Sequence, residues 1–285
     1  MLTDTHCHLT SPELLQRMDA VLAAAAAAGV ARIIQVAVNP DDARAAMNLI
    51  HARTPARADR QPGTSTGGQL ELLLVAGIHP HEAAGATSER LAELRAILEG
   101  ADRAVGNATR SVVGLGETGL DFHYDFAPRA QQEEAFRAQL ALAQELKLPV
   151  VIHSRESESA VCDILADYPA LAGRVVFHCF SGDIALARRA LDLGCLLSYT
   201  GVVTFKKAPA IQAAARFTPP DRIMLETDAP YLTPEPVRKI RPNEPALLVH
   251  TARFVADLRG VGFEELAAQT TANAVRFFGL PEERA

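Results

Sequence analysis

The sequence predicts an α/β fold, a (β/α)8 barrel sealed by C-terminal helices. Eight short aliphatic runs alternate with longer stretches of helical periodicity, the pattern of parallel strands joined by crossover helices. The chain has 285 residues, close to the ~250 typical of such a barrel. Metal-ligand residue types recur where the runs end. The predicted strands, in order, are Leu2–Thr5, Arg32–Val36, Leu72–Gly77, Val112–Gly116, Val150–His153, Arg174–Phe177, Leu196–Tyr199 and Arg222–Leu225. Helices are clearest over Pro12–Ala28, Arg129–Leu146 and Ile184–Leu193, where apolar residues recur every three or four positions. Arg53–Gln69, rich in Pro, Gly, Arg, Ser and Thr, reads as a surface insertion ahead of the third strand. Gly100–Arg110 reads as a smaller loop ahead of the fourth. Both precede their strands, so both are expected on the face away from the chemistry. Asn243–Phe278 reads as two closing helices. No boundary divides residues 1–285, which read as a single TIM-type barrel domain.

Composition excludes several classes. The chain is 48% hydrophobic and 22% charged, with a formal net charge of −6. A negative balance opposes broad electrostatic binding to nucleic acid, although bound cations and a few local Arg and Lys can reverse the field at one face. No apolar run is long enough to span a membrane. The N-terminus lacks a basic and then apolar leader, so a cytoplasmic location is expected. With four cysteines, Cys7, Cys162, Cys179 and Cys195, in a chain that is neither short nor evidently secreted, no disulfide framework is expected. No obligate protein partner is evident.

The chemistry lies at the strand ends. The first strand runs into His6-Cys7-His8, the third into His79, the fourth into Glu117, the fifth and sixth into His153 and His178, and the eighth into Glu226-Thr227-Asp228. In a barrel these ends converge on one mouth. Residues i and i+2 of a strand share a face, so His6 and His8 can reach one cation while Cys7 points away. Nitrogen and oxygen donors suit Zn²⁺, Mn²⁺ or Fe, and an oxygen-richer site suits Mg²⁺. Four His and two carboxylates exceed what one cation with an open position needs. Two cations roughly 3.5–4 Å apart, sharing one carboxylate, would use them all. A lone His-x-His is a weak signal and a lone strand-end His is more often a core residue; the joint occurrence carries the reading. His51, His81, His123 and His250 are assigned to ordinary surface or packing roles, and Cys7 and Cys179 to packing. The run Gly114-Leu115-Gly116-Glu117-Thr118-Gly119 has the wrong spacing for a dinucleotide loop.

The motifs DTHCHL, GIHPH, GETGLDF, PVVIHSRE, HCFSG, LSYTGVVTFKKA and MLETDAPYLTP resemble those of the TatD-like metal-dependent deoxyribonucleases of the amidohydrolase superfamily. They run in the family's order from Asp4 to the closing helices. The resemblance implies metal ligands at His6, His8, Glu117, His153, His178 and Asp228, with Glu117 bridging two metals and His79 near the scissile phosphate. It implies hydrolysis of DNA, as single strands or strand ends, by a 3′-5′ exonuclease using two divalent ions (Mg, Mn or Zn). In that reading Glu117, Asp228 and His79 are catalytic. Asp228 is the general base, and Arg155, Lys206 and Arg241 are candidates for steadying phosphates. The sequence departs from the usual motifs at Glu156-Ser157, Phe122-His123 and Pro242. An alternative is another amidohydrolase-type enzyme acting on an ester such as aminoacyl-tRNA. The absence of a Lys near Glu117 counts against a cyclic amidase. A non-catalytic metal-binding scaffold is a third reading, disfavoured because all six ligands are present.

Overall fold

The computed structural model describes residues 1–53, 70–100 and 111–281. The expected insertion and the loop before the fourth strand lie almost wholly outside the described residues. Eight strands form one sheet in sequential order: β1 (Leu2–Cys7), β2 (Val30–Ala37), β3 (Glu71–Ala76), β4 (Val112–Asp121), β5 (Val150–Arg155), β6 (Val175–Phe177), β7 (Leu196–Tyr199) and β8 (Ile223–Leu225). Every neighbouring pair is parallel. The circuit closes just beyond β8. The Asp228 amide donates to the His6 carbonyl at 2.9 Å, the His8 amide donates to the Ala229 carbonyl at 2.8 Å, and Cys7 and Ala229 form a parallel bridge. The seam of the barrel therefore runs through His6, His8 and Asp228, three of the residues expected to bind metal.

The interior has two layers. Towards the N-terminal ends of the strands, Ile34, Val36, Leu73, Val75, Val113, Val151, Val176, Leu196 and Met224 form an apolar cluster. The last helix, α10 (Phe263–Phe278), covers it with Phe277 and Phe278, packed edge to face at 4.8 Å, and Leu280 just beyond the helix adds to the cover. Towards the C-terminal ends the same inward faces turn polar. Val151 is followed two residues later by His153, Val176 by His178, Leu196 by Ser198 and Met224 by Glu226. The two-residue repeat of a strand carries both layers on one face.

The outer helices are α1 (Pro12–Leu15), α2 (Met18–Ala27), α3 (Pro40–Arg53), α4 (Ser88–Gly100), α5 (Arg129–Leu146), α6 (Glu158–Leu165), α7 (Ile184–Asp192), α8 (Pro209–Phe217) and α9 (Leu248–Arg259). The single helix expected over Pro12–Ala28 is broken into α1 and α2. Arg17 leaves helical geometry (φ −123°, ψ 20°), and its guanidinium pairs with Glu244. The α5 helix has the predicted limits and ends at Lys147 in the left-handed conformation. It buries Phe136, Leu140 and Ala143, together with two glutamines seven residues apart. Gln139 exchanges hydrogen bonds with the backbone of Ile78 (2.8 and 3.0 Å), and Gln132 with that of Asp121 (2.8 and 3.0 Å). One helix face thus fixes the chain where β3 and β4 reach the mouth. Among the described residues no helix is long and apolar enough to cross a membrane.

Candidate metal centre

The structure brings His6, His8, His79, Glu117, His153, His178 and Asp228 together at the C-terminal end of the barrel. Glu117, buried on the long β4, lies at the middle. Its Oε2 faces His6 Nε2 at 3.3 Å and His8 Nε2 at 3.8 Å. Its Oε1 faces His153 Nδ1 at 2.8 Å, His178 Nε2 at 2.8 Å and His79 Nε2 at 3.5 Å. Asp228 Oδ1 completes the first group, 3.8 Å from His6 Nε2 and 3.5 Å from His8 Nε2. The two oxygens of one carboxylate therefore divide the imidazoles into two groups.

Glycines on either side of Glu117 make this approach possible. Gly116 and Gly119 have φ of +146° and +141°, and a Cβ at Gly119 would stand 2.1 Å from the His153 carbonyl oxygen. The Gly-rich run is a strand that presses closely on β5. Among the described residues, four of the five non-glycine residues with positive φ, Glu156, Cys179, Asp228 and Leu232, follow strand ends at the mouth, and the fifth, Lys147, caps a helix. Residues held in sparsely populated backbone regions cluster at functional sites, where the surrounding structure over-determines them.

The far nitrogens of the rings decide what each histidine can offer. His8 Nδ1 donates to the Val36 carbonyl at 3.1 Å, so the neutral ring turns a lone pair at Nε2 to the cluster. His178 Nδ1 is held by Glu226 at 3.1 Å, and His153 Nε2 by Asp121 at 3.0 Å. Carboxylates and carbonyls of this kind orient metal-binding imidazoles. His79 is the reverse case. Its Nδ1 accepts the His81 amide N–H at 3.1 Å, so the neutral ring carries its proton on Nε2 and offers a donor, not a lone pair. Burial lowers the pKa of His79 to about 4, which keeps it neutral.

Three residues outside the predicted set complete the arrangement. Asp121 accepts His153 Nε2 and His81 Nε2 at Oδ2 (3.0 and 2.9 Å), and the amides of His123 and Tyr124 at Oδ1 (both 3.0 Å). Burial works to raise its pKa, but the bonds from His153, Tyr124 and His81 hold the carboxyl well below the usual range. Glu226 accepts His178 Nδ1 and the Cys179 amide (2.6 Å) at one oxygen, and Ser198 (2.6 Å) and Thr5 (3.4 Å) at the other. Both carboxylates spend their lone pairs on these donors. His81, read from sequence as ordinary, lies at the rim of the site on Asp121. The expected end of the fourth strand at Gly116 hid Asp121; the strand continues five residues further, paired with β5 from Thr118 to Asp121.

Other predicted positions fall at the periphery. Arg155 lies over the Tyr124 ring at 4.8 Å, and Lys206 lies on an open groove with Lys207 and Arg238. The Arg241 guanidinium donates to the carbonyls of Arg238 and Ile240, within its own loop. Cys7 is buried against the Ala229 carbonyl, Cys179 meets Thr200, and all four cysteines are free thiols. His123 pairs with Glu156 at the surface.

Divalent ions fit this donor set. Six nitrogen and oxygen donors, those of His6, His8, Glu117, His153, His178 and Asp228, converge in a buried space, and such a cluster requires compensating positive charge. Burial opposes the charge on Glu117, yet the neighbouring imidazoles, His178 foremost, hold its carboxyl well below the usual range. Burial likewise opposes a charge on His178, but Glu117 and then Glu226 push its pKa well above that of an ordinary histidine. Three sets of ligand atoms lie close enough to hold an ion: His6, His8 and Asp228; His79, Glu117 and His153; and His6, His178 and Glu226.

The sequence model of TatD-related DNases matches residues 3–279. The chain belongs to that family. It is a metal-dependent hydrolase with several His, Asp and Glu ligand clusters at the barrel mouth. It is 36% identical over 281 residues to the uncharacterized metal-dependent hydrolase YabD of Bacillus subtilis, covering 98% of this chain and all of that one. It is also 36% identical over 281 residues to the 3′-5′ ssDNA/RNA exonuclease TatD of Erwinia amylovora, covering 97% and 99% of the two chains. The crystal structure of YjjV, a TatD homologue from Escherichia coli K12, superposes with a TM-score of 0.83 at 28% identity over 98% of each chain.

Proposed function

We propose that this protein is a 3′-5′ exonuclease that hydrolyses phosphodiester bonds of single-stranded nucleic acid, DNA foremost, with two divalent cations. The observation that carries the two-cation reading is the division of Glu117, Oε2 towards His6 and His8 and Oε1 towards His153 and His178. His6, His8, Asp228 and Glu117 would hold one ion, and His153, His178 and Glu117 the other. When bound, such cations acidify water towards neutral pH and neutralise charge developing on phosphate oxygens. The nucleic-acid substrate is supported by near full-length similarity to a relative named for that activity.

The chain's own groups do the rest. Asp228 is ionised: burial opposes this, but the His8 ring beside it and the other nearby imidazoles lower its pKa. One oxygen faces His6 and His8, and the other is assigned the proton of the attacking water. His79 donates from Nε2 to a phosphate oxygen, a role that its tautomer suits and metal ligation does not. Asp121 and Glu226 position His153 and His178. Arg155 and Lys206 steady phosphates further from the cleaved bond.

The test is an assay of metal-stripped protein on end-labelled single-stranded DNA and matched RNA, with Mg²⁺, Mn²⁺ or Zn²⁺ restored. Stepwise shortening from the 3′ end that requires metal is expected. No cleavage of either strand with any metal would overturn the nuclease reading and leave an ester or amide as the substrate.

A further inference from the structure

Aromatic side chains are distributed unevenly over this molecule. The chain has four Tyr, eleven Phe and no Trp. All fifteen lie among the described residues, and only Tyr124 (42%), Phe126 (63%) and Tyr231 (59%) are exposed. An aromatic ring is one of the largest apolar groups a chain can bury. Leaving three in solvent needs a reason, and they are not scattered. Tyr124 and Phe126 follow β4, and Tyr231 follows β8, so all three are at the mouth.

Ring contacts tie them to the histidines. Phe126 lies 4.6 Å from His81 and 5.5 Å from Tyr124. From His81 an unbroken row runs through His79 (4.4 Å), His153 (4.6 Å), His178 (5.7 Å), His6 (3.8 Å) and His8 (4.9 Å) to Tyr231 (6.3 Å). The exposed aromatics are thus the two ends of a row whose middle is the candidate metal centre. The Tyr124 end is also fixed from below. Asp121, which holds His153, accepts the Tyr124 amide and the His81 ring. Arg155 sets a guanidinium 4.8 Å above the Tyr124 ring, a cation beside the rings.

We propose that Tyr124 with Phe126, and Tyr231 opposite them, are stacking platforms for the two unpaired bases that flank the phosphodiester bond being cut, and that they select single strands. This rests on the nucleic-acid reading above. A phosphate placed at Glu117 has one nucleoside on each side, and each side of the cluster ends in an exposed ring. Aromatic faces bind every base without sequence preference, as suits an enzyme that shortens strands of any sequence. Bases in a duplex are already stacked and paired, so only an unpaired base can use the rings. Stacking also supplies affinity without net positive charge, which a chain of −6 lacks.

The test compares metal-loaded wild type, Tyr124→Ala/Phe126→Ala and Tyr231→Ala on three single-stranded oligonucleotides. One is intact, one has an abasic residue at the 3′ terminus, and one has it at the penultimate position. Wild type should lose roughly 5- to 150-fold in kcat/KM on each abasic strand, the range of one base–aromatic stack. The double variant should be insensitive to one abasic position and Tyr231→Ala to the other, with each matching wild type on the strand that lacks the corresponding base. A variant that merely disturbs the site would slow all three strands and keep the abasic penalties, which would overturn the proposal. Equal rates of wild type on all three strands would also overturn it while leaving the nuclease reading intact. No cleavage of any strand would defeat both.

Discussion

Val151 and His153 lie two residues apart on one strand and face the same barrel interior, yet they belong to different environments. Below, towards the N-terminal ends, the interior is aliphatic and covered by Phe277 and Phe278. Above, it is a buried set of imidazoles and carboxylates centred on Glu117. The lower layer gains free energy from burial, about 25 cal/mol per Å² of apolar surface. The upper layer opposes folding until its charges are balanced, and the positive-φ residues beside it add strain. One layer holds the barrel shut so that the other can be held open to ligands. The two should therefore respond separately to substitution.

The largest effect is expected in the upper layer. Asp228→Asn should reduce turnover by roughly 10²–10⁴-fold, the usual worth of a general base, while elemental analysis finds metal content largely retained. Wild-type turnover in that variant would contradict the role given to Asp228. Next is the lower layer. Phe278→Ala should destabilise the protein by about 3–5 kcal/mol, read from urea unfolding, with kcat of the folded, metal-loaded enzyme unchanged.

Metal itself is a smaller lever on stability. Each site filled, at a hundredfold excess of free divalent ion over its Kd, should add about 2.7 kcal/mol. If the layers are independent, that gain is the same in wild type and in Phe278→Ala, since distant sites add. A gain that vanishes in Phe278→Ala would show the layers to be coupled. The mildest change is Asp121→Asn, which leaves every predicted ligand in place but weakens the support of His153. It should cost about 10–100-fold in metal affinity or activity.

The alternation of elements, the eight strands and the seven clustered residues were legible because parallel strands read as aliphatic runs and because ligand types stand out against them. What stayed hidden has physical causes. The β4 strand carries Gly114, Gly116 and Gly119, and glycine reads as a break; its continuation to Asp121 depends on close approach to β5, which no local pattern records. Gln132 and Gln139 look like surface residues of α5, yet both are buried on backbone groups near the mouth. The break falls at Arg17, whose guanidinium meets Glu244, more than two hundred residues away and invisible to any local pattern. The tautomer of His79 follows from the amide of His81, and tautomers are not written in letters. His81 itself could have been found, since His79 and His81 are two apart, the spacing that singled out His6 and His8.

The central claim is that Glu117 divides one buried space into two cation sites. Crystals of wild type grown with Mn²⁺ test it through the anomalous signal of the metal. Two peaks are predicted, one among His6, His8 and Asp228 and one between His153 and His178, each touching a different oxygen of Glu117. A single peak, or one held by Glu226 in place of Glu117, would contradict the account.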